Sequence, residues 1–177
     1  MFRNHLPEFI AEGFREKKYS DRGRASALFI DIVGFTSITE ALISRGKEGS
    51  EILSDIINKI FSPSINEIYS QGGVVVSFAG DAFTALFITE PVNAIYAAKK
   101  IMNHINRLKI QTKFGRFLLT AGIGIAYGNY EWNIVKSKTK PIFYFKGSAI
   151  DNASFAENHS KPGEIILHTS FVKKFKN

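Results

Sequence analysis

The sequence contains no cysteine among its 177 residues. This absence excludes a disulfide framework and a thiolate metal site, so a bound metal would need carboxylate, imidazole or carbonyl ligands. It also fits a reducing compartment, and we expect a cytoplasmic location. No apolar run approaches the roughly 20 residues of a membrane span, and the first 19 residues lack the pattern of a secretory signal peptide. We therefore predict no membrane span.

The charges are not concentrated in one patch. The net charge is +7, but lysines and arginines are scattered along the chain, which argues against a nucleic-acid partner. A modestly basic balance also suits a polyphosphate ligand. The four histidines are too dispersed to predict a metal cluster, so solvated or locally bonded histidines are expected.

The length and the 45% hydrophobic content fit one domain with a full core. Residues 1–24 are predicted to form an amphipathic lead-in helix and a linker, with the helix packing outside the domain. Residues 25–177 form the domain itself. The single tryptophan, Trp132, falls in a predicted loop, where we expect a surface-anchored aromatic and keep packing at an interface as the alternative.

Hydrophobic periodicity predicts strands alternating with helices. The order is strand, two helices, hairpin, helix, two strands, helix and strand, which favours an α+β fold. We predict a ferredoxin-like sandwich, with a mostly antiparallel sheet and helices on one face. Pro63 should kink or split the second helix. The predicted strands are 25–33, 74–78, 82–88, 117–127, 141–146 and 164–168, and the main predicted helices are 48–69, a segment opened by Pro91, 150–158 and 170–176.

Two aspartates stand out against apolar surroundings. Asp31 ends an apolar strand, where a buried unpaired carboxylate would cost several kcal/mol. Asp81 lies at a predicted hairpin tip, from which it could reach the end of that strand. Converging carboxylates repel unless cations lie between them, and oxygen ligands favour Mg²⁺ or Mn²⁺. A simpler alternative stays open: Asp81 is an aspartate of the kind common in hairpin turns, and Asp31 caps the next helix.

The turn after Asp31 offers a second feature. Gly34, Phe35 and Thr36 place backbone N–H groups at a helix start, where a phosphate can bind in the field of the helix dipole. Thr36 or Ser37 is the expected cap of this helix. One glycine before a helix is weak support by itself.

Two segments together resemble a known family. Residues 29–36, FIDIVGFT, and residues 73–83, GVVVSFAGDAF, closely resemble the two metal-site motifs of class III adenylate and guanylate cyclases. The similarity covers about residues 25–168. It is nearest to the first catalytic domain of the soluble, bicarbonate-responsive adenylate cyclase branch.

The resemblance implies a two-metal active site. Asp31 and Asp81 would each bridge two Mg²⁺ or Mn²⁺ ions, and the backbone carbonyl of Ile32 would add a ligand. The backbone of Gly34, Phe35 and Thr36 would hold the nucleotide phosphates. The implied reaction converts ATP, or less favourably GTP, to a 3′,5′-cyclic nucleotide and pyrophosphate.

Several positions depart from the family pattern. Family members complete each site across a dimer interface, with a base-reading lysine, an asparagine and an arginine from the second domain. The matching positions here are Ser77, Asp151 and Phe155, and Gly122 stands where many members carry a basic phosphate contact. The isolated chain is therefore expected to be nearly inactive, and active only with a second cyclase domain in a homo- or heterodimer. With Ser77 and Ser154 at the positions of a lysine and an arginine, we expect no bicarbonate stimulation.

Three hypotheses follow. The first is an adenylate cyclase half-domain, and the second is a catalytically degenerate domain that binds nucleotide or a partner and regulates a neighbour. The third, a relative of diguanylate cyclases, lacks the acidic hairpin that those enzymes use, since the tip reads AGDAF over residues 79–83. Because the family domain usually ends in further strands, the chain is also expected to be part of a longer protein.

Overall fold

The structure, a computed structural model, describes residues 7–135 and 142–176. The strands are β1 (Ser20–Val33), β2 (Val74–Ala79), β3 (Ala82–Phe87), β4 (Ile110–Thr112), β5 (Gly115–Phe117), β6 (Thr120–Val135), β7 (Ile142–Lys146) and β8 (Ile165–Leu167). The helices are α1 (Glu8–Arg15), α2 (Phe35–Ile43), α3 (Gly46–Ser70), α4 (Asn93–Arg107), α5 (Ser148–Glu157) and α6 (Thr169–Phe175). Within the described ranges, no helix combines the length and apolar character that crossing a membrane requires.

The main sheet has the strand order β2-β3-β1-β6-β7, and all these pairs are antiparallel. β8 adds to β6 in parallel, at Ile123–Ile125. The two central strands, β1 and β6, run past the predicted boundaries at 25 and 127. The predicted strand 117–127 is in fact divided, since β5 pairs with β4 in a small separate sheet.

The two faces of the sheet carry different helices. Alternate residues of β1, Leu28, Ile30 and Ile32, pack in a large core with residues of α2, α3 and α4. The odd-numbered residues of β1 face the other side of the sheet, where Ala25 and Ala27 pack with alanines of α5. The predicted α+β fold with a mostly antiparallel sheet is confirmed, but α5 covers the face opposite the main helical layer. The sequence predicted this helix at 150–158 but did not place it on the opposite face, because hydrophobic periodicity locates a helix without showing which face of the sheet it covers.

The lead-in helix packs on this domain rather than outside it. Ile10 of α1 is buried in a cluster with Trp132 and Ile134 of β6. Trp132 is 3% exposed, so its prediction as a surface aromatic in a loop was wrong. The cause is the unpredicted extension of β6, which places the indole under α1.

Helix α3 continues through Pro63 without being split. Proline has no N–H, so the carbonyl of Lys59, four residues earlier, loses its helical donor. His104 of α4 replaces it, with Nε2 donating to the Lys59 oxygen at 2.8 Å. The predicted local bonding of the histidines holds for His159, whose Nδ1 lies 2.8 Å from the Phe155 carbonyl oxygen, whereas the partner of His104 is distant in the chain. His5 lies outside the described residues.

This substitute hydrogen bond gives a test of helix stability. We expect His104→Ala to lower the free energy of unfolding by about 1 kcal/mol, because the bond joins two helices. The loss should shrink in a Pro63→Ala background, where residue 63 regains an N–H for Lys59. Urea denaturation of the two single variants and the double variant measures the coupling. Equal losses in both backgrounds would contradict this account.

Candidate active site

Asp31 lies near the end of β1, between β3 and β6. Its partners in register are Ala82 on β3 and Gly122 on β6. Directly paired residues point to the same face, so both immediate neighbours of Asp31 on that face are small. Asp31 faces the α5 side of the sheet, because it alternates with Ile30 and Ile32 in the main core. The carboxylate therefore projects from the α5 side of the sheet, where Asp31 is half-buried.

Asp81 lies beside it, at the tip of the β2–β3 hairpin. Ala79 pairs with Ala82, which leaves Gly80 and Asp81 as a two-residue turn, and Gly80 has the positive φ of 66° that such turns require. Ala82 is the register partner of Asp31, and Asp81 is the residue just before Ala82. Asp81 is therefore adjacent to the residue that pairs with Asp31. The structure thus brings together the two aspartates selected from the sequence.

An aromatic cluster fixes the hairpin relative to the β1–α2 turn. Phe35 at the start of α2 contacts Phe61 of α3, with ring centroids 6.2 Å apart. Phe61 contacts Phe83 of β3 at 5.7 Å, and Phe83 contacts Phe78 of β2 at 6.0 Å. Such contacts add about 0.5–1.5 kcal/mol per pair beyond area burial. The sequence shows these phenylalanines only as core residues, not as a link between the two halves of the site.

The β1–α2 turn depends on Gly34. Its φ is 93°, and a Cβ added there would lie 2.7 Å from the carbonyl oxygen of Leu118. Gly34 is also the N-cap of α2, and no side chain makes a cap hydrogen bond, so the expectation that Thr36 or Ser37 caps the helix was wrong. The first-turn amides, including those of Phe35 and Thr36, have no acceptor within the helix. They are therefore free to donate hydrogen bonds to an anion.

The electrostatics of the site indicate a missing positive charge. Burial and, secondarily, the neighbouring Asp81 carboxylate raise the pKa of Asp31, against a smaller lowering by a backbone hydrogen bond from Ile32. Among residues 7–135 and 142–176, no ion pair joins either aspartate to a lysine or arginine. Paired oxygen donors in this condition fit hard divalent cations such as Mg²⁺ or Mn²⁺.

The structure adds an acidic residue that the sequence reasoning missed. Glu157, the last residue of α5, has its pKa raised by burial and then by the Asp31 carboxylate. One sequence signal for this contact was available. Gly122 and Gly124 are alternate residues of one strand, so one face of the strand lacks side chains there and a helix can pack closely against it. In the described part of the chain, no three acidic or imidazole side chains converge into one metal cage.

Of the residues that depart from the family pattern, Gly122 pairs directly with Asp31, and the other three lie on the surface. Ser77 is exposed on β2, and Asp151 is exposed on α5. Phe155 is 58% exposed, with its ring centroid 4.5 Å from that of His159. None of the three is locked into the core, so each position can present a different side chain to a partner.

A cleft of about 400 Å³ separates α1 from the β2–β3 edge and is lined by Phe9, Val74 and Tyr130, among others, but not by Asp31 or Asp81. Asp31 and Asp81 are both half-buried, so a partner surface can still reach them.

Known proteins resemble this chain in sequence and in fold. No protein-family model matches the chain. Adenylyl cyclase CyaB from P. aeruginosa is similar in structure, with a TM-score of 0.70 and 22% identity over 88% of this chain and 83% of that one. The guanylate cyclase domain of RhGC from Catenaria anguillulae, solved with GTP, gives a TM-score of 0.72 and 22% identity over 89% and 85%. Human adenylate cyclase type 10 is 30% identical over 171 residues. The chain belongs to the class III nucleotidyl cyclases.

This family membership confirms the resemblance drawn from the two sequence motifs. The cyclase domain matches adenylate cyclase type 10 over 92% of its own length but spans only 11% of that relative. Its structural neighbours include both adenylyl and guanylyl cyclases. The roles of Asp31, Asp81, Ile32, Gly34, Phe35 and Thr36 stay predictions.

Proposed function

We propose that this cyclase domain is the metal-bearing half of an adenylate cyclase, which converts ATP to 3′,5′-cyclic AMP and pyrophosphate when paired with a complementary cyclase domain. The observation that carries the proposal is the placement of Asp31 and Asp81 side by side, partly buried and without a cationic partner among the described residues. That arrangement is unfavourable unless divalent cations bind there.

The chain's own residues supply binding and orientation. Asp31 and Asp81 would hold the cations through carboxylate oxygens, with the Ile32 carbonyl as a further ligand. The first-turn amides at Phe35 and Thr36, freed by the Gly34 turn, donate to the terminal phosphates. When bound, two divalent cations would favour ionisation of the ribose 3′-hydroxyl and neutralise the triphosphate. The Gly34 turn and the hairpin tip hold these groups at one end of the sheet.

The other half of the chemistry must come from a partner. Ser77, Asp151 and Phe155 cannot contact the base or neutralise charge at the α-phosphate as lysine, asparagine and arginine would. A homodimer of this chain would therefore have cations and phosphate contacts but little transition-state stabilisation. We propose a heterodimer, with the partner domain supplying these three side chains. ATP is favoured over GTP by the similarity to adenylate cyclase type 10, and a cytoplasmic location stays a prediction.

The partner requirement can be tested within a single chain. The triple variant Ser77→Lys, Asp151→Asn, Phe155→Arg should gain cyclic nucleotide formation as a homodimer, at least tenfold above the wild-type chain. All three positions are accessible, so the fold should tolerate the changes. The assay measures product from ATP and, separately, from GTP with Mn²⁺. A triple variant that also carries Asp31→Asn is the control and should be inactive.

A second candidate function is favoured by the same departures. If a folded triple variant forms no product, and the wild-type chain mixed with a complete partner domain also forms none, the domain is a catalytically degenerate regulator. Binding of nucleotide without turnover would then be its remaining activity.

A further inference from the structure

Glu157 fills a gap in the sheet surface next to Asp31. An ideal Cβ on Gly122 would lie 2.7 Å from Glu157 Oε1 and 2.6 Å from Ser160 Oγ. Gly122 is the register partner of Asp31, and directly paired side chains are neighbours on one face of a sheet. The Glu157 carboxylate therefore occupies the space that a side chain at position 122 would fill, next to Asp31.

The backbone of α5 fixes this placement. An ideal Cβ on Gly124 would lie 2.0 Å from the Ala153 carbonyl oxygen and 2.4 Å from the Glu157 nitrogen. The last turn of α5 thus lies directly on β6, with Ala153 buried at the contact. Because the main chain of Glu157 is part of this contact, its side chain starts from a fixed position near Asp31.

The charge at this place is unbalanced. Glu157 joins two other carboxylates at one end of the sheet, and no ion pair to a lysine or arginine is formed by it among residues 7–135 and 142–176. Burial and, secondarily, the Asp31 carboxylate raise the pKa of Glu157, which agrees with the short distance between the two groups that the strand register gives. The three carboxylates do not form one cage, so a direct ligand role for Glu157 does not fit.

We propose that Glu157 is a positioning residue of the metal site, which increases the affinity of Asp31 and Asp81 for divalent cations through its charge and through water. The inference rests on the proposed function, since it assumes that cations bind at these two aspartates. Outer-sphere carboxylates commonly orient metal-bound groups in this way. A unit negative charge several ångströms from a dication is worth about 1 kcal/mol in a solvated site, and less at high salt.

The experiment is a Mn²⁺ titration of the ¹⁵N-labelled 177-residue chain, followed by NMR. Paramagnetic broadening of the Ile32 and Asp81 amides reports occupancy of the proposed site and separates it from surface binding. We expect Glu157→Gln to raise the midpoint about threefold to tenfold, with a smaller effect in 0.5 M salt. Asp55→Asn, which removes an exposed carboxyl on α3, is the matched control and should leave the midpoint unchanged.

The outcomes separate the two proposals. Both proposals are supported if Mn²⁺ broadens the Ile32 and Asp81 amides in the wild type, if Asp31→Asn abolishes this broadening, and if Glu157→Gln shifts it to higher Mn²⁺ concentration. The same wild-type binding with an unchanged Glu157→Gln midpoint overturns the role of Glu157 and leaves the metal site intact. No broadening at these amides in the wild type overturns the metal site, and the role of Glu157 fails with it. Spectra without Mn²⁺ show whether each variant is folded.

Discussion

Asp31→Asn should reduce cyclic nucleotide formation at least a hundredfold in any active pairing of this domain. The substitution keeps the size of the side chain but removes one of the two charges that hold divalent cations, and with them the stabilisation of the triphosphate. Asp81→Asn should have a loss of similar size. The measurement is product formation with saturating Mn²⁺ and ATP, using a partner domain that carries the missing lysine, asparagine and arginine.

Folding and activity should respond in opposite directions. The raised pKa of Asp31, caused by burial and by Asp81, means that its ionised form destabilises the metal-free fold at neutral pH. Asp31→Asn removes that repulsion, so the melting temperature should stay the same or rise while activity falls. Asp55→Asn should alter neither. Retained activity in Asp31→Asn would remove the basis of the two-metal proposal, and a large loss of stability would make the activity result uninformative about catalysis.

Gly124→Ala should strongly destabilise the fold. The added methyl group would meet the backbone of Ala153 and Glu157 rather than a movable side chain. α5 cannot retreat without losing its packing against Ala25, Ala27 and Ala126. We expect a loss of about 3 kcal/mol or more in the free energy of unfolding. Urea denaturation followed by the fluorescence of buried Trp132, the single tryptophan, measures it.

Gly23→Ala provides the comparison. Gly23 also lies on a central strand. The atoms nearest to a methyl group added there all belong to the Tyr130 side chain, which can rotate away. Its cost should stay below about 1 kcal/mol. Similar losses for the two variants would mean that the contact between α5 and β6 is not the tight one described.

Sequence reasoning located the two aspartates because their surroundings were informative. Asp31 interrupts an apolar strand, and Asp81 sits between two strand-forming runs at hairpin spacing. Both signals are local, since they depend on residues within one turn or strand. The family resemblance joined them into one site, and the register of Asp31 with Ala82 shows why they meet.

Other features were missed because they depend on contacts between distant segments. The local sequence around Trp132 is typical of a loop, but in the structure β6 includes this residue and packs it against α1. The capping of α2 by Gly34 without a side-chain hydrogen bond follows from the close approach of the Leu118 carbonyl, which is 84 residues away (118 − 34). The rescue of the Lys59 carbonyl by His104 is equally non-local.

The sequence by itself determined the class of fold and the two carboxylates, because hydrophobic periodicity, turn glycines and motif order are written locally in the chain. Tertiary structure alone decided which face Asp31 occupies and which third carboxylate stands beside it. Glu157 is 126 residues from Asp31 in the chain (157 − 31), and only the pairing of β1 with β6, followed by the docking of α5 on bare glycines, brings its charge to the site. Like charges assembled from such distant segments leave no periodic signal, since their proximity is set by packing rather than by spacing.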